Sequence, residues 1–331
     1  MRAAYYERTG DAAEVLQIGE FAAPTPGTGE VLVRMHASGV NPSDVKKRQG
    51  RMPAPAAHPR IVPHSDGAGV IAAVGPDVDP GRVGTRVWLW NAQWGSAMGT
   101  AATHCALPSA QAMDLPEATS YAEGACLGIP AQTAWTAVMD GSPEPNRTLL
   151  IHGGAGAVGE MAVAIAADAG SRVIATVSTP EKAAIAKAAG AWEVIDYRTT
   201  DVAEAVQDLT GGVDHILDVD FGANHRVNAR ALAPGGSIAA YSAPGAPVFE
   251  MDYYAFAAKA ARLRFVQVYL LGDAERRAAI AGITDLLKRR AMPIRIARTY
   301  PLDAIVAAHE AQEAGVLGNI IVETGDADAH P

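Results

Sequence analysis

Cysteine is nearly missing: Cys105 and Cys126 are the only two in 331 residues. Two thiols exclude a disulfide framework and the four-thiolate set of a structural zinc site, and the count suits a reducing compartment. Basic residues are in deficit, 27 Lys+Arg against 36 Asp+Glu, and the resulting charge of −9 repels phosphate backbones and anionic lipid. Nucleic acid and membranes are therefore not expected as partners. Long apolar runs are missing too. The longest uncharged stretch, Val87 to Met113, is broken by Asn91, Gln93, Gly95, Ser96, Gly99, Thr103 and Pro108, so it reads as strands and loops rather than a membrane helix. The N-terminus, Met-Arg-Ala-Ala-Tyr-Tyr-Glu-Arg, has no apolar core for export, and a cytoplasmic location is expected. No internal repeat is visible.

What remains is a chain that is 49% hydrophobic and 19% charged, too apolar for disorder and long enough for two domains. From Arg2 to about Leu115, short β-like runs alternate with Gly and Pro. Examples are Glu30 to His36, Gly69 to Val74 and Thr85 to Trp90, which fit an antiparallel barrel or sandwich. From Glu123 the pattern changes to Ala-rich helical segments between apolar strands at 148–152, 171–177, 191–195, 213–218 and 236–241, the mark of a doubly wound parallel sheet. The tail brings a further apolar strand, Phe265 to Leu270, an amphipathic helix to Arg290 and a short strand, Asn319 to Val322. It is too short for a third domain. The predicted division is 1–129 with 266–331 as one domain and 130–265 as the other, with a cleft between them lined from three parts of the chain.

The strand Leu149 to His152 runs into Gly153-Gly-Ala155-Gly156-Ala157-Val158-Gly159, which opens an apolar helix. Glycines at this spacing serve a tight turn, close approach of a pyrophosphate and helix-to-strand packing, while the helix N-terminus presents oriented N–H groups. Strand before, helix after and a second strand ending at Val177 meet the context that a dinucleotide site requires. That second strand ends in Ser178 and Thr179 rather than in an acid. Glu181 belongs to a helix start, Thr179-Pro180-Glu181, where an acid complements the helix dipole. The hydroxyls of Ser178 and Thr179 and the cation of Lys182 favour a 2′-phosphate, hence NADPH over NADH.

With these pieces in place the chain resembles the medium-chain dehydrogenases/reductases, and among them the zinc-independent NADPH:quinone oxidoreductases, the zeta-crystallin-like group. The resemblance covers almost the whole chain. Its most specific parts are Gly39-Val-Asn41-Pro42-Ser-Asp44, Ser65-Asp66-Gly-Ala-Gly69, Gly128-Ile-Pro-Ala-Gln-Thr133-Ala, the glycine loop, Ala191 to Arg198, and Leu317-Gly-Asn319-Ile-Ile. It implies a GroES-like β-barrel catalytic domain beside a Rossmann cofactor domain, and a homodimer or homotetramer joined through the cofactor domain's sheet, with the run Arg264 to Leu271 as a candidate edge. In the zinc alcohol dehydrogenases of the superfamily a cysteine stands at Asn41 and a histidine at Ser65, so no metal is expected. His64 comes one residue early, and adjacent side chains in an extended segment point opposite ways.

Without a Lewis acid the expected acceptors are quinones or α,β-unsaturated carbonyls, where hydride delivery places charge on a remote conjugated oxygen that hydrogen-bond donors can neutralise. The resemblance places Asn41 and Pro42 near the nicotinamide, Thr133 at its carboxamide, Lys182 with Tyr197 at the 2′-phosphate, Ser242 under the pyrophosphate and ribose, Val268 and Tyr269 over the nicotinamide, and Asn319 at a C-terminal cofactor contact. Relatives often carry a tyrosine where this chain has Lys46. Lys46 or Lys47 is thus a candidate proton donor, and the alternative is a solvated helix face. Asn41, Asp44, Lys46 and Tyr269 form the candidate catalytic set. Asp44 and Asp66 can equally be structural partners of these cations. Trp88, Trp90 and Trp94 are either core or the wall of an aromatic acceptor site, and Cys126 is read as a small buried hydrophobe. Other readings are a non-catalytic NADPH- or RNA-binding protein, which the charge disfavours, and an alcohol dehydrogenase with an unusual metal site.

Overall fold

The computed structural model describes residues 1–52 and 58–325. The chain forms two units, one from Met1–Ile129 with the chain from Ile294 onward, the other from Pro130–Pro293.

In the first unit β1 (Arg2–Tyr5) pairs antiparallel with β2 (Gln17–Glu20), and α1 (Ala12–Val15) lies between them in sequence. Strand β3 (Glu30–Val40) buries Val31, Val33, Met35 and Ala37 at every second position, as the pleat requires. It runs past His36, where the sequence pattern stops, because Ser38 and Gly39 pair with neighbours on both sides and Val40 with Ile320. Glycine is required at 39: a Cβ there would sit 2.1 Å from the Ala125 carbonyl oxygen. Asn41 then precedes α2 (Pro42–Arg48), with proline in the first turn, where its missing N–H is no loss. Next come β4 (Asp66–Val74), β5 (Arg86–Leu89), β6 (His104–Pro108), β7 (Ala112–Asp114) and α3 (Tyr121–Gly124).

The second unit starts with α4 (Gln132–Asp140) and then alternates strands and helices: β8 (Thr148–Ile151), α5 (Ala157–Asp168), β9 (Arg172–Val177), α6 (Pro180–Ala188), β10 (Glu193–Asp196), α7 (Val202–Thr210), β11 (Val213–Asp218), α8 (Phe221–Ala231) and β12 (Leu232–Ala240). After α9 (Tyr253–Ala257) the strand β13 (Arg262–Phe265) completes a sheet ordered β10-β9-β8-β11-β12-β13, parallel throughout. Counted from β8 this order is 3-2-1-4-5-6, the doubly wound arrangement, and strand order reverses between β8 and β11. Leu150, Ile174, Ile216 and Ile238 are fully buried at its centre, each contributing roughly 1.5–3 kcal/mol.

Two expectations about the tail are corrected. The strand expected over Phe265 to Leu270 stops at Phe265, and Val268–Leu270 is a single 3-10 turn. Residues 266–293, assigned above to the first domain, lie in the second unit. Their helix α10 (Asp273–Arg289) packs on α4, where Gly282 leaves room for the Trp135 ring; a Cβ there would be 2.0 Å from it. Only then does the chain rejoin the first unit as β14 (Ile296–Pro301), α11 (Ile305–Ala314) and β15 (Asn319–Glu323). The sheet there has the order β14-β15-β3-β4-β5-β7, with β6 also on β3.

Candidate functional site

In the second unit the glycine loop lies at the end of β8, beside the reversal of strand order where ligands of such sheets bind. Gly153 has φ of +69°, and its N–H donates to Thr176 Oγ1 at 3.1 Å. A Cβ on Gly159 would meet the Gly153 carbonyl oxygen at 2.1 Å, and one on Gly154 would meet Ala175 Cβ at 2.6 Å. Gly156 is the N-cap of α5 and offers no side chain to the first-turn amides. The loop is thus a small-residue cradle at the N-terminus of a helix, and it fits a pyrophosphate. Ala155 is buried, whereas Ala157 and Val158 at the helix start are partly exposed.

Beneath the loop is a group that no spacing in the sequence announces. Asp218 Oδ2 accepts from Asn228 Nδ2, and Asn228 Oδ1 accepts from His152 Nε2 at 2.8 Å. Thr176 Oγ1 lies 3.4 Å from His152 Nδ1, and Thr176 in turn accepts the Gly153 N–H. Four residues, one in the loop itself and the others on β9, β11 and α8, therefore hold the first glycine in a hydrogen-bonded chain that ends on one buried carboxylate.

Past the ends of β9 and β10, Lys182 Nζ donates to Ser178 Oγ at 3.0 Å, and Thr179 caps α6 by accepting the Lys182 N–H at 3.2 Å. Tyr197 is 54% exposed, and its N–H donates to Val177 O at 3.2 Å. Arg198, given no role above, donates to Ser178 O at 3.3 Å. Ser178, Thr179, Lys182, Tyr197 and Arg198 thus gather as one cationic, hydroxyl-bearing surface, while Glu181 is exposed in the first turn of α6. Ser242 follows β12, and its carbonyl accepts the Phe221 N–H. Buried Arg276 ties the Val268–Tyr269 turn to the helix bearing Thr133, donating to Val268 O at 2.7 Å and to Gln132 Oε1 at 2.8 Å. It too was missed, since an arginine on an amphipathic helix reads as surface.

In the first unit Asn41 is held at two points. Its N–H donates to Asp44 Oδ2 and its Nδ2 to Asp66 Oδ2, each at 2.8 Å, and Asp66 Oδ2 also accepts the Ile129 N–H at 2.8 Å. Both acids are buried. Burial pushes the Asp44 carboxyl up to about 6, against the opposing pull of Lys47, and raises Asp66 well above the carboxylate range, with Asp44 adding to the rise. Of the paired lysines, Lys47 turns inward: it is 2% exposed and its Nζ donates to Gln93 Oε1 at 2.7 Å and to Ser65 Oγ at 3.4 Å. Burial lowers the Lys47 ammonium's pKa, with Asp44 and Asp66 opposing. Lys46 is only partly buried. Trp94, 42% exposed, has its ring 5.9 Å from the Lys47 nitrogen, whereas Trp88 is wholly in the core and forms no wall. Asn319 spends its amide on the Arg295 carbonyl, at 3.0 Å. Cys126 donates to Ala122 O, and burial raises its thiol pKa well above the usual value.

His64 and Ser65 do face different partners. His64 takes a left-handed φ of +77°, and its ring joins a chain whose direction is dictated by its end. Thr100 Oγ1 donates to the Asp66 carbonyl, so it accepts from Ser38 Oγ at 2.7 Å; Ser38 accepts from His64 Nδ1 at 2.8 Å; His64 Nε2 must then accept from His309 Nε2 at 3.0 Å. Both imidazoles are neutral, and burial holds the pKa of His64 down at about 3 and lowers that of His309 strongly. An amide, a hydroxyl, an ammonium and two acids already accepting hydrogen bonds do not fit zinc, which takes convergent His, Cys or carboxylate ligands. Among the described residues no three His, Cys, Asp or Glu side chains gather as a metal site.

Residues 27–117 match the Alcohol dehydrogenase GroES-like domain family and residues 157–284 the Zinc-binding dehydrogenase family. Human Quinone oxidoreductase is 28% identical over 315 residues, covering 93% of this chain and 94% of the human one. The Danio rerio Synaptic vesicle membrane protein VAT-1 homolog is 29% identical over 91% of this chain, which spans 65% of that protein's length. Among solved structures, a mycobacterial quinone oxidoreductase superposes with a TM-score of 0.85 at 30% identity, over 98% of this chain and 99% of that one. Escherichia coli quinone oxidoreductase complexed with NADPH gives 0.86 at 26%, and 2-Haloacrylate Reductase 0.85 at 26%, each over 98% of this chain and 100% of the other.

Proposed function

The chain belongs to the zinc-independent quinone oxidoreductase family of the medium-chain dehydrogenases/reductases, and on that premise we propose that it reduces quinones with NADPH by direct hydride transfer, without metal or flavin. The observation that carries the cofactor is the pairing, in one unit, of the glycine cradle with the Ser178, Thr179, Lys182, Tyr197 and Arg198 surface, which ends β9 with donors where an NAD site would carry an acid. Bound NADPH supplies a hydride to the acceptor.

The cradle's amides hold the pyrophosphate, and the cationic surface takes the 2′-phosphate. Thr133, Ser242, Val268 and Asn319 complete the proposed cofactor contacts. For the acceptor the proposed set is Asn41, Asp44, Lys46 and Tyr269. Asn41, clamped by two acids, orients the reactant, and a proton reaches the reduced oxygen from Lys46, Tyr269 or water. Hydride transfer to a conjugated acceptor leaves charge on an oxygen that such donors neutralise. A second reading, reduction of the C=C bond of α,β-unsaturated carbonyls, is favoured by the likeness to 2-Haloacrylate Reductase.

The proposal extends to a cytoplasmic homodimer or homotetramer. Strand β13 ends the sheet order, and its Phe265 is 70% exposed, an edge suited to a second copy. Among the described residues no helix is long and apolar enough to cross a membrane.

The test is NADPH oxidation by chelator-treated protein against a 1,4-quinone and an enone of similar size, with NADH run alongside. Turnover with NADPH well above NADH and faster with the quinone is expected. A faster enone moves the assignment to C=C reduction, and NADPH binding without turnover of either acceptor removes it.

A further inference from the structure

Lys47 stands out among the buried ionisable groups because it bridges three separate pieces of chain. It lies on α2 three residues after Asp44, and its ammonium bonds Ser65 just before β4 and Gln93 in the turn after β5. That turn is strained: Asn91 is buried with a left-handed φ of +53°, and Trp94 N–H donates to the Asn91 carbonyl at 3.0 Å. Asn and Gly are the residues that tolerate this conformation, and the surroundings must over-determine it. The charged and titratable groups around the ammonium are Asp44 and Arg48 on α2, and His64 and Asp66 at the approach to β4; Tyr6 from the end of β1 faces Asp44.

We propose that Lys47 is the positioning residue of this cluster, pinning to α2 both the Gln93–Trp94 turn and Ser65, the neighbour of the Asp66 that grips Asn41, with its charge three positions along the helix from Asp44. The functional part of this inference rests on the role given to Asn41 above. Two buried acids 22 positions apart both grip Asn41. They repel when both are charged, so one must be protonated or a cation must lie close. Lys47 is the cation whose attraction both acids feel. Its neighbour Lys46, one residue away and about 100° around the helix, cannot substitute. Lys47 is buried with its ammonium bonded to Ser65 and Gln93, so its proposed role is positioning and not catalytic.

The experiment compares wild type, K47M, D44N and K47M/D44N as full-length proteins. Carboxyl 13C NMR follows the Asp44 titration, urea unfolding follows stability, and the pH profile of kcat/KM follows NADPH turnover. In K47M the Asp44 midpoint should rise from about 6 by about one unit or more, because the opposite charge is gone. The acid limb of kcat/KM should move with it, and turnover at neutral pH should fall about tenfold or more. Removing one partner of a buried pair strands the other, whereas removing both does not. D44N should therefore stabilise the K47M background while destabilising wild type, a reversal that simple loss of packing does not produce. An unmoved Asp44 midpoint in K47M overturns the proposal, as does additive stability in the double variant. If wild type turns over no acceptor, the function proposed above fails, and the titration and stability arms still decide the role of Lys47.

Discussion

The glycine loop and the Asn41 cluster are built in opposite ways. In the loop the proposed contacts are backbone amides, and side chains matter chiefly by being absent: Gly154 and Gly159 sit where a single methyl would strike Ala175 or the Gly153 carbonyl. The cluster acts through side chains, with two acids, an ammonium, an amide and a hydroxyl buried together. A backbone site tolerates only the residues that leave room. A side-chain site tolerates only the residues whose charges balance, because each buried charge without a partner costs several kcal/mol. The first should fail sterically and at any pH, the second electrostatically and as a function of pH.

The largest effect expected from this contrast is at Gly159. In G159V the Cβ would lie 2.1 Å from the Gly153 oxygen, a backbone atom that cannot rotate away, so the loop must open. NADPH affinity measured by fluorescence titration should fall at least a hundredfold, equally at pH 6 and pH 8. A loss confined to one pH would mean that a titrating group, not space, governs the cradle.

The same contrast explains what could be read before the structure. The Gly153 to Gly159 pattern is a local steric demand, so it is written in consecutive residues, and so are Thr179-Pro180 opening α6 and the alternation Val31, Val33, Met35 on β3. The Asn41 cluster joins residues 41, 44, 47, 66, 93 and 129, and nothing in a one-dimensional pattern says that Lys47 rather than Lys46 turns inward. Arg276 and α10 show the same limit at the level of the fold. The helix was legible, but the unit that owns it depends on Gly282 accepting the Trp135 ring. His309 gave no signal, because its meaning comes from His64, 245 residues away.

The His64–His309 pair sharpens the electrostatic half of the comparison. A buried imidazole whose pKa is lowered, to about 3 for His64, leaves the native state with fewer protons than the unfolded chain below pH 6.5. Its contribution to stability is therefore complete above pH 6.5 and is lost as pH falls toward 3. Asp44 runs the other way. With its pKa raised to about 6, the native state binds the extra proton, and that contribution is present below pH 3.8 and lost as pH rises through 6. The two oppose one another in the same unit, so the wild-type curve alone separates neither. H64N does: asparagine tolerates the left-handed φ of +77°, and the substitution removes one titration. The wild-type minus H64N stability difference, from urea unfolding across pH 4 to 8, should fall by on the order of 2–4 kcal/mol from pH 7 to pH 4. A flat difference would mean that His64 carries its proton in the folded state.

The smallest effect is expected where the two modes meet, at Lys182. Its side chain is partly exposed and already bonded to the Ser178 hydroxyl, and Arg198 bonds the carbonyl of the same serine, so a 2′-phosphate there would meet two cations and at least two hydroxyls. Solvent screens an exposed pair, and one charge-assisted hydrogen bond of this kind is worth about 1 kcal/mol. K182A should therefore weaken NADPH by about fivefold and leave NADH unchanged, since NADH has no phosphate for the lysine to meet. K182A/R198A should lose more than the two single variants combined, because the remaining cation covers for the missing one. Equal weakening of NADPH and NADH would show instead that Lys182 acts by holding Thr179 and the start of α6. The end of β9 would then be, like the glycine loop, a device of backbone geometry rather than of charge.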